Sequence, residues 1–195
     1  MDCGKVGRLI LTLRKEKGFT QKALAEKMNI SDRTISKWER GLGCPDVSLL
    51  HELSEILGVN IEKILSGDLE LNESDGGNMK KIKFYVCPTC GNIVYSMSET
   101  EVSCCGRKLS PLVDQEENSS HEITVNQIEY DYYVTMNHDM TKQHYISFVA
   151  YVSYDSVLFI KLYPEQSAEV RFPQMHGGDI YFYCNEHGFF KHKMG

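Results

Sequence analysis

From Val6 to about Leu65, apolar side chains recur at three- and four-residue spacing in five short runs separated by turn residues, which predicts an all-helical unit. Thr20 is placed to cap a helix running through Met28, and Ser31 to cap the next through about Arg40. Gly41-Leu42-Gly43 and Pro45 then break the chain. Asp46 or Ser48 opens a helix carrying Leu49, Leu50, Leu53, Ile56 and Leu57, closed by Gly58, and a last short helix runs from Ile61 to Leu65 after Asn60. Residues 66–78 (SGDLELNESDGGN) are acidic and lack sustained periodicity, as in a linker. Beyond them the period changes to two, predicting strands over Ile82 to Val86, Ile93 to Tyr95, Tyr130 to Thr135, Tyr145 to Val152, Val157 to Tyr163, Glu169 to Phe172 and Ile180 to Tyr183. These fit a small Cys-rich ribbon followed by a β-sandwich.

Charge sharpens this division. Residues 1–40 hold ten Lys or Arg against five Asp or Glu, whereas the rest of the chain holds 11 against 22, so a basic patch sits on an acidic protein of net charge −6. Clustered cations point to a local anionic partner, because phosphate contacts need local positive charge rather than a basic overall balance. The longest apolar runs, such as Val157 to Ile160, fall far short of a membrane span, and the start lacks the long apolar region of a secretory signal. No membrane is expected as a partner, and the cytosol is the expected address. In that compartment seven cysteines point to metal ligation rather than to disulfides.

The run TQKALAEKMNISDRTISKWERGLGCPD resembles the Cro and lambda-repressor type of helix-turn-helix, the XRE family, across residues 6–66. Gln21 follows the cap of the first motif helix, Ala25 sits where the two helices approach, Ile35 and Trp38 face the core, and Glu39-Arg40-Gly41 closes the second helix. The resemblance implies that this second helix, roughly Asp32 to Arg40, enters the major groove of a double-stranded operator. The exposed face of that helix offers Asp32, Arg33 and Lys37, with Thr34 and Ser36 alongside, as base-reading candidates. Gln21, Lys22, Ser31 and Arg40 are the phosphate candidates. Such readers act as homodimers on half-sites.

Cys87-Pro88-Thr89-Cys90, thirteen residues, then Cys104-Cys105 supplies four thiolates from two knuckles, a strong metal signature. Structural zinc is the generic expectation. The adjacent pair closing the second knuckle resembles desulforedoxin and the first centre of two-iron desulfoferrodoxins, which implies iron; iron and zinc both remain open. Cys3 and Cys44 lie outside this cluster, and each is expected to be a buried small apolar side chain or an exposed bystander.

His121, His138-Asp139-Met140, His144-Tyr145-Ile146 and Cys184-Asn185-Glu186-His187-Gly188 together resemble the catalytic iron centre of superoxide reductases, the desulfoferrodoxin and neelaredoxin family, over residues 80–192. The resemblance implies non-haem iron held by imidazoles from His121, His138, His144 and His187 and by an axial Cys184 thiolate, with superoxide as a small oxidant ligand. Two features depart from the family. A Glu-Lys pair that precedes the first histidine there is Ser119-Ser120 here, and the proline after the second histidine is Asp139. Losing a cation and gaining a carboxylate near the site reduces anion capture, although Lys142 partly compensates. His51, His176 and His192 fall outside the pattern, and His176 is expected to be exposed.

The expected architecture is a multidomain α+β chain. A five-helix DNA-binding domain occupies residues 1–66, a linker 67–80, a four-cysteine desulforedoxin-like ribbon 81–113 and an immunoglobulin-like iron-binding β-sandwich 114–195. The expected function is a DNA-binding transcriptional regulator whose iron module senses redox state or reactive oxygen. The alternative is an active superoxide reductase tethered to a DNA-binding domain.

Overall fold

The computed structural model describes residues 1–69, 78–116, 121–175 and 177–194. The chain divides into two compact units, Met1–Leu71 and Asn72–Gly195. Ser119, Ser120 and His176, and most of the expected linker, lie outside the described residues.

The first unit is helical: α1 (Cys3–Glu16), α2 (Gln21–Lys27), α3 (Asp32–Glu39), α4 (Val47–Leu57) and α5 (Ile61–Ser66). The caps read from the sequence are present as hydrogen bonds. Thr20 accepts from the Ala23 N–H, Ser31 from the Thr34 N–H, and Asp46 from the Ser48 N–H, so each helix start has one exposed donor satisfied. Gly58 ends α4 in the left-handed conformation that favours glycine. Val6, Ile10, Leu24, Ile35, Leu53 and Ile64 form a fully buried core, and Trp38 joins it. Helices α1 and α3 approach so closely at Gly7 that a Cβ there would lie 2.0 Å from the Trp38 carbonyl oxygen, a contact only glycine permits.

Cys3 and Cys44 correct the sequence expectation. They are joined by a disulfide, with Cα atoms 5.0 Å apart and a sequence separation of 41 residues. The start of α1 packs beside the loop between α3 and α4, a proximity created by helix packing that sequence separation does not reveal.

The second unit opens with a 3-10 turn (Met79–Lys81) and two hairpins: β1 (Lys83–Val86) with β2 (Ile93–Ser96), then β3 (Val102–Cys104) with β4 (Arg107–Leu109). The remaining strands are β5 (Asp114–Gln115), β6 (Ile123–Ile128), β7 (Asp131–Met136), β8 (Ile146–Val152), β9 (Val157–Lys161), β10 (Glu169–Pro173), β11 (Asp179–Cys184) and β12 (Gly188–Lys193). They form a three-stranded sheet in the order β10-β7-β6 and a five-stranded sheet in the order β5-β12-β11-β8-β9. Val134, Met136, Val170 and Phe172 of the first sheet pack against Val149, Tyr151, Ile180, Phe182 and Phe190 of the second, giving the sandwich core. The other face of the five-stranded sheet is also covered. Phe148, Ala150, Tyr181 and Phe189 bury Ile82 and Phe84 of the first hairpin. Coverage of both faces explains why β8, ISFVAYV, reads as a nearly continuous apolar run instead of a clean alternation. The sequence pattern does not predict strands β3 to β6 or β12. Polar residues make up half of β6 and half of β12, and the others are only two or three residues long.

Candidate metal centres and nucleic-acid interface

The four cysteines of the ribbon come from two tight turns. After β1, the Cys87 carbonyl accepts from the Gly91 N–H (2.9 Å) and the Cys87 N–H donates to the Asn92 carbonyl (2.9 Å), curling residues 87–91 into a knuckle. Cys104 ends β3, and Cys105 (φ 51°) and Gly106 (φ 73°) make a two-residue turn in which both residues have positive φ. The sulfur atoms of Cys87, Cys90, Cys104 and Cys105 all lie within 4.8 Å of one another, with Cys90 and Cys104 3.6 Å apart. Backbone N–H groups of Cys90 and Thr89 draw the Cys87 thiol down to about 6. Crowding by Cys90, Cys104 and Cys87 pushes Cys105 up to about 12. The set thus carries one readily formed thiolate beside thiols that resist ionising together, a strain that a shared cation relieves.

The second group lies where strands of both sheets end. His121 precedes β6, His138 follows β7, His144 precedes β8, and Cys184 is the last residue of β11. Nitrogen atoms of His121, His138 and His144 and the Cys184 sulfur fall within 4.8 Å of one another. His187 sits in the turn from β11 to β12, its Nδ1 3.5 Å from the Cys184 sulfur and 3.0 Å from His144 Nε2. All five expected donors therefore converge, and His144 and His187 form a further close group with Glu186. His121 and Cys184 are buried, His138 and His144 are half-buried, and His187 is exposed, which leaves the cluster reachable by small solutes. His51 is exposed on α4 and His192 lies in β12; neither belongs to a metal-competent group among the described residues.

The protonation states suit a cation. Burial first, and then the neighbouring imidazoles, hold His138 down to about 4, and the same causes lower His121. Both rings are neutral near pH 7 and able to offer a lone pair. His138 Nε2 is buried without a hydrogen-bond partner among the described residues, a costly arrangement for an apolar core and a sensible one for a ligand. Burial raises the Cys184 thiol, against the backbone N–H groups of His187 and Glu186, which favour its thiolate. A donor set of imidazoles and one sulfur fits a borderline transition metal such as iron or zinc.

Asn185 is the supporting residue that sequence reasoning left without a role. Its Oδ1 accepts from the Tyr145 N–H (2.7 Å), its Nδ2 donates to the Gln143 carbonyl (2.5 Å), and its own N–H donates to the Tyr145 carbonyl (3.1 Å). These bonds latch the Cys184–His187 turn to the segment carrying His144. Thr141 accepts from the His144 N–H (3.0 Å), and His121 stacks on Phe190 with centroids 4.6 Å apart. Asp139 is exposed beside His138, and Lys142 lies 3.9 Å from the Glu165 carboxylate.

In the helical unit, α3 presents Asp32, Arg33 and Lys37 along its outer side, with Thr34 and Ser36 alongside, while Ile35 and Trp38 are buried. Asp32 accepts from the Arg33 backbone N–H (2.8 Å), and Ser31 Oγ lies 2.9 Å from Thr34 Oγ1. Lys22 is exposed, and Arg40 Nε donates to the Ser36 carbonyl (3.1 Å). Gln21 directs its amide inward, donating to Glu39 (2.7 Å). Glu39 also accepts from two nitrogens of Arg14, at 2.5 and 3.0 Å. This polar knot ties α1 and α2 to the end of α3. Nothing in the local sequence pattern announces it, because its three members lie on three helices.

The family model described as Helix-turn-helix (HTH_3) matches residues 10–64. Residues of this region are 41% identical, over 61 residues, to the uncharacterized HTH-type transcriptional regulator y4dJ of Sinorhizobium fredii, covering 31% of this chain and 79% of that protein. The chain spans 38% and 57% of the length of two further regulators with which it shares this domain. Over 118 residues the chain is 27% identical to desulfoferrodoxin of Clostridium acetobutylicum, covering 56% of this chain and 94% of that protein. The crystal structure of the superoxide reductase from Treponema pallidum superposes with a TM-score of 0.53 at 21% identity, covering 57% of this chain and 98% of that one, a likeness of fold. No helix among the described residues is long and apolar enough to cross a membrane.

Proposed function

The chain belongs to the helix-turn-helix transcriptional regulators, and on that premise we propose that it is a sequence-specific DNA-binding regulator whose second unit is a redox-responsive iron module. The observation that carries the reading is the convergence of His121, His138, His144 and Cys184 within 4.8 Å, at the end of a fold shared with a superoxide reductase, in a chain that also presents an exposed side of α3.

On this reading Arg33, Asp32 and Lys37, flanked by Thr34 and Ser36, read base edges in the major groove of a double-stranded operator. Lys22, Ser31 and Arg40 set register along the backbone, and Gln21, its amide bonded to Glu39, holds the start of α2 in place for them. Two copies of the chain bind two half-sites about one helical turn apart. His121, His138, His144, His187 and Cys184 hold non-haem iron, and Cys87, Cys90, Cys104 and Cys105 hold iron or zinc. Iron at the first set supplies a one-electron couple for a small oxidant such as superoxide. The neutral imidazoles bind without cancelling charge, the Cys184 sulfur donates electron density, and Asn185 keeps the two ligand-bearing segments in register. A coupling of about 1–3 kcal/mol between redox state and DNA affinity gives a roughly 5- to 150-fold response.

Anaerobic purification, metal quantification and an optical spectrum before and after mild oxidation test the module, followed by binding to a duplex enriched from a random pool. Iron with a thiolate-to-ferric band, and, with the Cys3–Cys44 bridge kept intact throughout, affinity that changes on oxidation in wild type but not in Cys184→Ser, is the expected result. Zinc at both sets with a silent spectrum overturns the redox function. Rapid consumption of generated superoxide, far above that of adventitious iron, would make the module an enzyme rather than a sensor.

A further inference from the structure

The helical unit contains a bridged cysteine pair of its own. Cys3 is the first residue of α1 and Cys44 lies in the loop between α3 and α4, four residues beyond Arg40, and the two are bridged. Both are partly exposed, so a small thiol or disulfide reaches them. The surrounding seam is made of backbone rather than of apolar side chains: a Cβ on Gly41 would lie 3.0 Å from Gly4 Cα. In the loop that follows the recognition helix Leu42 is exposed and Pro45 is buried, and the bridge ties this loop covalently to α1.

We infer that Cys3 and Cys44 form a reversible thiol–disulfide switch that clamps the loop after the recognition helix onto α1 and so tunes DNA binding independently of the metal module. Its consequence for DNA rests on the DNA-binding reading above; the thiol chemistry does not. Cys3, partly exposed at the start of α1, is the attacking thiol. Its thiolate attacks the S–S bond of a low-molecular-weight disulfide, forming a mixed disulfide and expelling one small thiolate. The Cys44 thiolate then attacks Cys3 Sγ, closing the internal bridge and expelling the second. The cysteine pair loses two protons and two electrons, which leave with the small molecule as two reduced thiols. Closure links residues 41 apart in sequence, which chiefly limits the unfolded state.

The test equilibrates the full, metal-loaded chain in glutathione buffers from fully reduced to fully oxidised, quenches with acid, alkylates, and weighs the Cys3 and Cys44 peptides. Trp38, the single tryptophan, reports melting of the helical unit by fluorescence, and a duplex enriched from a random pool reports binding. Both cysteines should lose alkylation together over a finite range of glutathione ratios. The oxidised form should melt about 8 °C or more above the reduced form and bind the duplex about fivefold or more tightly. Cys3→Ser and Cys44→Ser should each abolish these differences, whereas Cys184→Ser should leave the alkylation pattern and the melting difference intact. A pair that stays bridged in excess dithiothreitol while folded, or stays reduced in the most oxidised buffer, overturns the switch. Equal duplex affinity of the two forms overturns its regulatory role. Failure of both forms to bind any duplex, with the alkylation and melting differences present, overturns the DNA-binding reading and leaves the thiol chemistry standing.

Discussion

Replacing Glu39 by alanine removes the carboxylate on which α1, α2 and α3 converge. The Glu39 side chain is 4% exposed and that of Arg14 9%, and the carboxylate accepts three hydrogen bonds, two from Arg14 and one from Gln21. Truncation leaves the Arg14 guanidinium buried with only its bond to the Phe19 carbonyl (2.6 Å), and breaking such a pair costs about 3–5 kcal/mol. A unit of this size has a total stability of roughly 3–10 kcal/mol, so the loss is a large share of the whole. At about 4–8 °C per kcal/mol, the midpoint should fall by more than about 10 °C. Trp38 is the only tryptophan and is buried in this unit, so its fluorescence follows this transition without interference from the β-rich unit. The pH dependence follows from the same group. Burial pushes the Glu39 carboxyl up, but the hydrogen bonds from Arg14 and Gln21 and the Arg14 charge outweigh it and leave the group below its ordinary value of 4.5. A carboxyl depressed in the folded state contributes its stability fully above the unfolded value and loses it as pH falls through the folded one. The difference between wild type and Glu39→Ala should therefore be constant near neutrality and shrink in acid below about pH 4.5. A midpoint shift under about 3 °C, or a difference that grows in acid, would refute the reasoning.

Gly7→Ala should destabilise the same transition by about 1–3 kcal/mol despite alanine's better helix propensity, because its Cβ meets the Trp38 carbonyl; chemical denaturation read at Trp38 checks this. Asn185→Ala should weaken metal binding at the histidine cluster about 10- to 100-fold while leaving the four-cysteine site loaded, which competition with a chelator measures site by site. Arg33→Ala should cost about 1–3 kcal/mol of DNA affinity and relax sequence preference, whereas Arg40→Ala should weaken binding across sequences and lower the salt slope by about one. Equal behaviour of these two variants in a salt titration would remove the division between base and phosphate contacts.

By itself the sequence determined what is local. Helix caps act over two or three residues, so Thr20 and Ser31 were legible as helix starts before any packing was known. The Cys87–Cys90 knuckle is likewise a short loop whose spacing points to a pair of metal ligands, whereas the Cys184–His187 turn and the order of histidines were readable only through resemblance to a family. Tertiary structure decided the rest. It brought Cys3 to Cys44, placed Arg14, Gln21 and Glu39 in one knot, and made Asn185 the latch between two segments that carry candidate ligands. It also buried β8 on both faces and gave the half-polar β6 and β12 their partners. The reason is range. A cap or a knuckle is fixed by neighbours along the chain, whereas a contact between segments 18 to 43 residues apart depends on which surfaces the fold lays together, and the same residues read the same way in sequence whether or not they meet.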